Sequence, residues 1–488
     1  MLFKGRTVMA FVLLACVAGS ILTLTIAGVL DGTVLSGTAR VSAVQSVLAA
    51  DNGEVLSSEE TAKLSAILKM VEERYVEDVD RQTLTDGALS GILAALEDPY
   101  SEYLDKEEVK SFSSHINSSF TGIGAEVTMR DGNVVVVSPI KNSPAERAGI
   151  LAGDLILSVN GTPLQGLQLT EAVEKIRGPK GTQAKVRIVR QGSAEPMDII
   201  VVRDDISLET VESRMLEDGI GYIDIRQFAV NTDKRFTEEL SSLEKNRLTG
   251  LIIDVRNNPG GVVQAVQHIS EQFVPKGKTI MHLEYRDGKR EKTASQGHAK
   301  PYPVVVLVNQ GSASASEILA AAIQESAGGT LVGKKTFGKG LVQSTVQLND
   351  GTGVKLTIAK WLTPDGGTIN KEGVTPDVEV EQPALFETIA ISKERDLAFD
   401  MAGDEVKNVQ HILEGLGYNP GRNDGYFNEA TREAVKRFQR DASLAATGVV
   451  DEGTAQKLEE AVIQEYLDPK NDEQLKAAVA YLQKMPAR

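Results

Sequence analysis

The sequence predicts a multidomain chain organised around an α/β core, and three features carry that expectation. Residues 206–390 alternate β-branched runs with helical periodicity, "GIGYIDIRQF", "FTEELSSLEKN", "TGLIIDVRN", "VVQAVQHISEQFV", "PVVVLVN" and "ASEILAAAIQES", the order of a sheet covered by helices. Residues 118–205 hold short strands around one helical stretch, and residues 401–462 read as a small all-α unit. The 488 residues allow roughly three or four domains of ordinary size.

The first element is apolar. "MLFKGR" carries two positive charges, and residues 7–30 then run 24 residues without a charge, enough to span about 30 Å of hydrocarbon. Residues 1–30 read as a single-pass membrane anchor with Lys4 and Arg6 inside, which places everything later on the extracytoplasmic face. Two alternatives stand beside it: a signal cleaved within "SGTARVSA", which would make the protein secreted, and a lipoprotein signal ending at Cys16. Residues 31–56 read as a spacer. Cys16 is the sole cysteine, so the rest of the chain has no disulfide, no thiolate metal site and no cysteine nucleophile. A formal net charge of −16 argues against a nucleic-acid partner.

Residues 57–117 are helical. Ser57 and Glu60 form a capping-box pattern, Leu64, Ile67, Leu68 and Val71 share one face, and a second helix in "TLTDGALSGILAAL" stops before Asp98-Pro99. This region reads as a packing or dimerisation element. In the next unit, "GIGAEV" and "SPAERAGILAGDLILSVNG" resemble a PDZ domain. The resemblance implies that the loop Gly122-Ile123-Gly124-Ala125 offers amides to a peptide's terminal carboxylate, while the peptide adds as a strand to the sheet edge.

The chemistry centres on "GSASASEILAAA", residues 311–322, where a buried strand breaks at Gly311 and feeds a helix. Ser312, Ser314 and Ser316 are all candidate nucleophiles. Local rules offer Ser314 a competing task, because Ser314 and Glu317 also form a capping-box pattern. None of the five histidines, His115, His268, His282, His298 and His411, is well placed as a base, and no two stand at metal-ligand spacing. A lysine serves as base only where burial lowers its pKa. Lys339 in "GKKTFGKGLVQ" lies between two glycines with Phe337, Leu341 and Val342 beside it, and Gln343 four residues on can share its face.

Taken jointly, "GSASASEI", "FGKG" with the following glutamine, "DVRNNPGG" at 254–261 and "TPDGGTINKEGVTPD" at 363–377 resemble the carboxyl-terminal processing proteases, a Ser/Lys peptidase family. The helical region, PDZ domain and core also follow in that family's order, over about residues 58–390. The resemblance implies a serine endopeptidase without cofactor or metal, acting through an acyl-enzyme. Ser314 is then the nucleophile, Lys339 the general base and Gln343 its orienter, with the Gly260 and Ala315 amides as oxyanion hole. A further expectation falls on Arg177, at the end of the PDZ helix: either a cation favoured by the helix dipole or the group that couples peptide occupancy to the Ser–Lys site. The alternative function is a non-catalytic adaptor of the same architecture.

After a connector at 391–400, residues 401–462 resemble a bacterial peptidoglycan-binding domain, carried by Val406, Gln410, Leu413, Asp424-Gly425, Phe427, Thr431, Phe438-Gln439, Gly448 and Thr454. Its "NPGRNDGYF" loop lacks calcium-loop spacing, since Asp424 stands where a glycine is needed. Residues 463–488 form an amphipathic tail, expected from Leu475, Val479 and Leu482 to meet a partner subunit. Expected partners are therefore protein tails with free C-termini, peptidoglycan, the membrane, and a second copy held by N- and C-terminal helices.

Overall fold

The computed structural model describes residues 56–130, 132–190 and 195–485. The segment expected as an anchor lies outside the described residues. Among the described residues no helix is long and apolar enough to cross a membrane.

The chain divides into two units. The first comprises the residues up to Val109 together with Gln343–Thr357. Its two helices, Ser58–Arg74 and Arg81–Ala94, start at side-chain caps. The Ser57 N–H donates to Glu60 Oε2 at 2.8 Å, the Glu60 N–H returns to Ser57 Oγ at 3.2 Å, and Asp80 caps the second helix. Neither helix buries a residue, and Ile67 and Met70 are more than half exposed. Strand Glu102–Leu104 pairs antiparallel with residues 353–355.

The second unit, Lys110–Val342 and Ile358–Arg488, holds four hydrophobic clusters among the described residues, two of them on opposite faces of one sheet. The first belongs to an antiparallel sheet in the order β1 (Ala125–Arg130), β2 (Asn133–Pro139), β3 (Leu155–Val159), β4 (Gln183–Val189), β5 (Met197–Val202), with helix α1 (Leu169–Ile176) between β3 and β4. Alternate residues such as Val134 and Val136, or Val186 and Ile188, close over Ile123, Ile150 and Leu164.

The next body is built on a six-stranded sheet. Strand β6 (Val211–Met215) runs antiparallel to β7 (Ile220–Ile225). Helix α2 (Thr232–Glu244), β8 (Gly250–Asp254), α3 (Val263–Glu271), β9 (Thr279–Tyr285), β10 (Arg290–Ala294), β11 (Val304–Val308), α4 (Ala315–Ala321), β12 (Thr330–Gly333) and β13 (Val378–Glu379) follow. Strands β7, β8, β11, β12 and β13 are parallel neighbours in that order. Strands β9 and β10 form a hairpin whose β9 pairs with residues 359–362. Both faces of the parallel strands are buried, which explains their unbroken apolar sequence. Leu251, Ile253, Val306 and Val308 face α2, α3 and α4, whereas Ile252, Val305 and Leu307 point to the other side.

That other side is covered by the end of the chain. Helices α5 (Asp404–Gly415), α6 (Glu429–Asp441) and α7 (Glu452–Leu467) make their own core around Val409, Leu413, Phe427, Val435 and Leu458. Gln410 and Gln439, which helped to carry the resemblance here, are fully buried staples: Gln410 bonds the Tyr426 carbonyl and Thr431, and Gln439 bonds Thr454 and the Val449 carbonyl. Helix α8 (Glu473–Lys484) then returns to the sheet and buries Leu475, Ala478 and Leu482 against Ile252, Val305, Leu307 and Val332. The tail's expected encounter with a partner subunit is thereby corrected. Its apolar stripe is spent inside the chain, because β8, β11 and β12 present an equally apolar face that water would otherwise meet.

Candidate active site

Two turns follow the C-terminal ends of neighbouring parallel strands, the usual place for chemistry in an open α/β sheet. Residues 255–261 follow β8, and residues 309–314 follow β11. Asn309 joins them: its Oδ1 accepts from the N–H groups of Asn257 (2.8 Å) and Gly311 (3.0 Å), and its Nδ2 donates to Asn257 Oδ1 at 2.8 Å.

The three serines separate by what their hydroxyls do. Ser312 Oγ donates to the Val255 carbonyl at 2.8 Å and accepts from the Asn309 N–H at 3.0 Å. Ser316 Oγ donates to the Asn258 carbonyl at 2.9 Å. Both are fully buried and tie the two turns together. Ser314 is half-buried and stands at the N-cap of α4 with φ 54° and ψ −112°. Asn428 and Asp451, whose side chains do cap helices, lie in the extended region at φ −91° and φ −83°. A cap therefore does not require the Ser314 backbone; strain at a strand-to-helix turn is how a nucleophile is lifted out of the chain.

Gly260 packs directly on this serine. With φ at 103°, it would bring an added Cβ to 2.8 Å from Ser314 Cβ and 2.9 Å from the Ala315 nitrogen, so only glycine fits. The Ala315 N–H, at the start of α4, has no hydrogen-bond partner among the described residues, as first-turn amides do not within a helix. The Gly260 N–H donates to Asn258 Oδ1 at 2.9 Å, and Asn258 Nδ2 donates to the Ile225 carbonyl at 2.6 Å. Asn258 is fully buried and sets this turn; sequence reasoning passed over it, since nothing in "NNPGG" separates a buried asparagine from a turn asparagine.

Lys339 reaches the same place through its main chain. Glu317, fully buried, accepts four hydrogen bonds: from the Ser314 N–H (2.8 Å) and Lys339 N–H (2.8 Å) on Oε2, and from the Thr336 hydroxyl (2.6 Å) and Gly338 N–H (2.7 Å) on Oε1. The Phe337 N–H also donates to the Ser312 carbonyl, and Trp361 Nε1 donates to the Lys339 carbonyl at 2.8 Å. The serine and lysine turns are thus bridged by one carboxyl group. Phe337 is 58% exposed, while Lys339, Leu341 and Val342 are half-buried, so hydrogen bonds rather than a continuous apolar wall shape this turn. Gln343 lies in the first unit, where its Nε2 donates to Thr357 Oγ1 at 3.2 Å.

Two of the five histidines are engaged elsewhere. His268 Nδ1 meets Asp233 at 2.6 Å between helices α3 and α2, and His282 Nε2 meets the Pro364 carbonyl at 3.2 Å. Among the described residues no group of three or more His, Cys, Asp or Glu could hold a metal ion.

In the small β-rich body, Gly124 (φ 77°) has Ser143 so close that a Cβ would sit 2.4 Å from that residue's own. The Ile123 and Gly124 carbonyls accept from Ala145 and Ile140, whereas the Ile123 and Gly124 amides have no partner among the described residues. Ile123 buries its side chain in the core, Gly122 ends strand Ser119–Gly122, and Ala125 begins β1. Arg177 is the exposed C-cap of α1, with its guanidinium 5.2 Å from the centre of the Phe120 ring.

Comparison with known proteins matches residues 219–380 to peptidase family S41, 135–190 to a PDZ domain, 402–458 to a peptidoglycan binding domain, and 22–108 to the activating protease CtpB N-terminal domain. The carboxy-terminal processing protease CtpB of Bacillus subtilis (strain 168) is 43% identical over 424 residues, covering 86% of this chain and 88% of that protein. This chain belongs to the carboxy-terminal processing proteases. CtpA of the same organism is 41% identical over 86% of this chain and 90% of its own length. The solved photosystem II D1 C-terminal processing protease is 30% identical, covering 67% of this chain and 94% of that one, with a TM-score of 0.40. The match to S41 runs from β7 to β13, and both turns built above fall inside it.

Proposed function

We propose that this processing protease cleaves peptide bonds with Ser314 as nucleophile and Lys339 as general base, on the extracytoplasmic side of a bacterial membrane to which its N-terminal segment anchors it. The observation that carries the reading is the strained Ser314 turn joined to the Lys339 turn through Glu317.

A neutral Lys339 amine takes the hydroxyl proton as Ser314 Oγ attacks the substrate carbonyl. The resulting oxyanion is met by the Ala315 N–H, where the start of α4 adds its dipole, and by the Gly260 N–H, which shares or surrenders its bond to Asn258. The Lys339 ammonium then protonates the leaving amine, and the neutral Lys339 amine so regenerated takes a proton from the water that clears the acyl-enzyme. Gln343 orients Lys339 without adding a charge that would favour the ammonium form.

Substrates enter through the PDZ domain. The Ile123 and Gly124 amides, in the loop Gly122–Ala125, receive a protein's C-terminal carboxylate. Arg177 couples that event to the Ser–Lys site. The C-terminal helical domain holds peptidoglycan, and the exposed apolar face of the N-terminal helices, including Ile67 and Met70, serves self-association. Cleavage of a disordered C-terminal peptide by wild type, Ser314→Ala and Lys339→Ala tests the mechanism; cleavage that persists in both variants overturns it.

A further inference from the structure

The turn carrying Gly260 is held by more than its own loop. Arg256, two residues beyond the end of β8 and four before Gly260, is 12% exposed and lies between two carboxylates. Its Nε and Nη2 bond Asp254, the latter at 2.6 Å, while Nη1 and Nη2 bond Asp472 Oδ1 and Oδ2 at 2.9 and 2.7 Å. Asp254 alone would satisfy the charge of Arg256, since both its oxygens are engaged. Asp472, 216 positions along the chain, adds a two-point grip on the free side of the guanidinium. It is itself fixed, by capping the Leu475 N–H of α8 at 2.9 Å and by Gln382 Nε2 at 2.6 Å.

A polar cavity of about 370 Å³ adjoins the turn, lined among others by Arg256, Asn257, Asn309, Phe386, Tyr466 and Gln474. Hydrogen bonds and ion pairs, not apolar contacts, therefore set where Asn257 and the residues after it lie on that side. Asn257 sits at φ 57° and passes the constraint to the serine turn through Asn309.

We propose that Arg256 is a positioning residue for proteolysis and that Asp472 sets it, so that the entry to the last helix holds the oxyanion turn in register with Ser314. This rests on the reading of Ser314 and Gly260 given above. Asp472 follows α7 by a single short turn, Pro469–Asn471, and so also joins the peptidoglycan-binding-like domain to the catalytic turn.

The test compares full-length Asp472→Asn, Arg256→Lys, their double variant and Leu482→Ala. Leu482→Ala loosens α8 on the sheet without touching the clamp. Steady-state cleavage of one peptide is measured well below every melting temperature, with Ser314→Ala in parallel. Asp472→Asn and Arg256→Lys are each expected to lower kcat at least about tenfold with KM within about twofold, and the double variant to be no worse than the poorer single. Leu482→Ala is expected to lower Tm as much or more while keeping kcat. The proposal is overturned if Asp472→Asn keeps kcat within twofold, or if Leu482→Ala, at a comparable loss of Tm, lowers kcat as much as Asp472→Asn does. Cleavage by Ser314→Ala would instead overturn the assignment of the nucleophile, which separates the two failures.

Discussion

Glu317 holds Lys339 by its main chain: the Lys339 N–H donates to Oε2 at 2.8 Å, on the same oxygen that receives the Ser314 N–H. With four donors converging on one buried carboxyl group, Glu317→Ala leaves the Ser314, Gly338 and Lys339 amides and the Thr336 hydroxyl without their acceptor. Stability is expected to fall by about 3 kcal/mol or more, read from urea unfolding. Cleavage should fall at least a hundredfold under conditions where the variant remains folded.

A lysine base predicts a rate that climbs with pH as the ammonium form is lost. Lys339→Arg keeps the positive charge and much of the length, but a guanidinium does not deprotonate in this range. The variant should be inactive at every pH at which the wild type gains activity, as judged by kcat/KM profiles. Recovery of activity by Lys339→Arg at high pH would exclude Lys339 as the base.

Gly124→Ala places a methyl group 2.4 Å from Ser143 Cβ at a backbone angle of φ 77°, so the loop Gly122–Ala125 must move. Peptide affinity, measured by fluorescence anisotropy in the Ser314→Ala background, should drop at least tenfold. Unchanged affinity would remove this loop from the carboxylate site.

Asp154 in the PDZ domain is fully buried and receives Arg190 Nε and Nη2, both at 2.7 Å. Burial alone would raise its carboxyl pKa, but the Arg190 hydrogen bonds and charge, with the Leu151 N–H, outweigh burial and leave it below the ordinary value. A carboxyl with a folded pKa below its unfolded one stabilises the protein above the unfolded value, near about 4, and loses that contribution as pH falls through the folded value. Asp154→Asn leaves Arg190 facing a neutral amide and should cost the PDZ domain about 3 kcal/mol at neutral pH. The gap from wild type should narrow under strong acid, as followed by thermal unfolding.

How much of this was legible in the sequence depended on whether the information was local. The parallel strands announced themselves because both faces are buried and every position is apolar, as in "VVVLV". The loop Gly122–Ala125 and the two turns were singled out by their joint resemblance to a known family, since "FGKG" or "NNPGG" taken alone reads as an ordinary turn. Asp472 did not show at all: its partner is 216 residues away, and it looks like any helix cap. Glu317 was visible only as the far end of a capping box, and its hold on residues 336–339 depends on a loop folding back. The tail helix failed for a related reason. Periodicity reveals that an apolar stripe must be covered, but not by what.

The placement of α8 gives the chain an unusual wiring. Residues 404–467 leave the catalytic sheet after β13 and come back to it at α8, so the peptidoglycan-binding-like domain is an insert with both ends fastened, not a pendant on a tether. A fusion joined directly to the end of α8 would start beside the proteolytic sheet. Cargo intended to ride on the peptidoglycan-binding-like domain would have to be spliced into that insert's own surface loops.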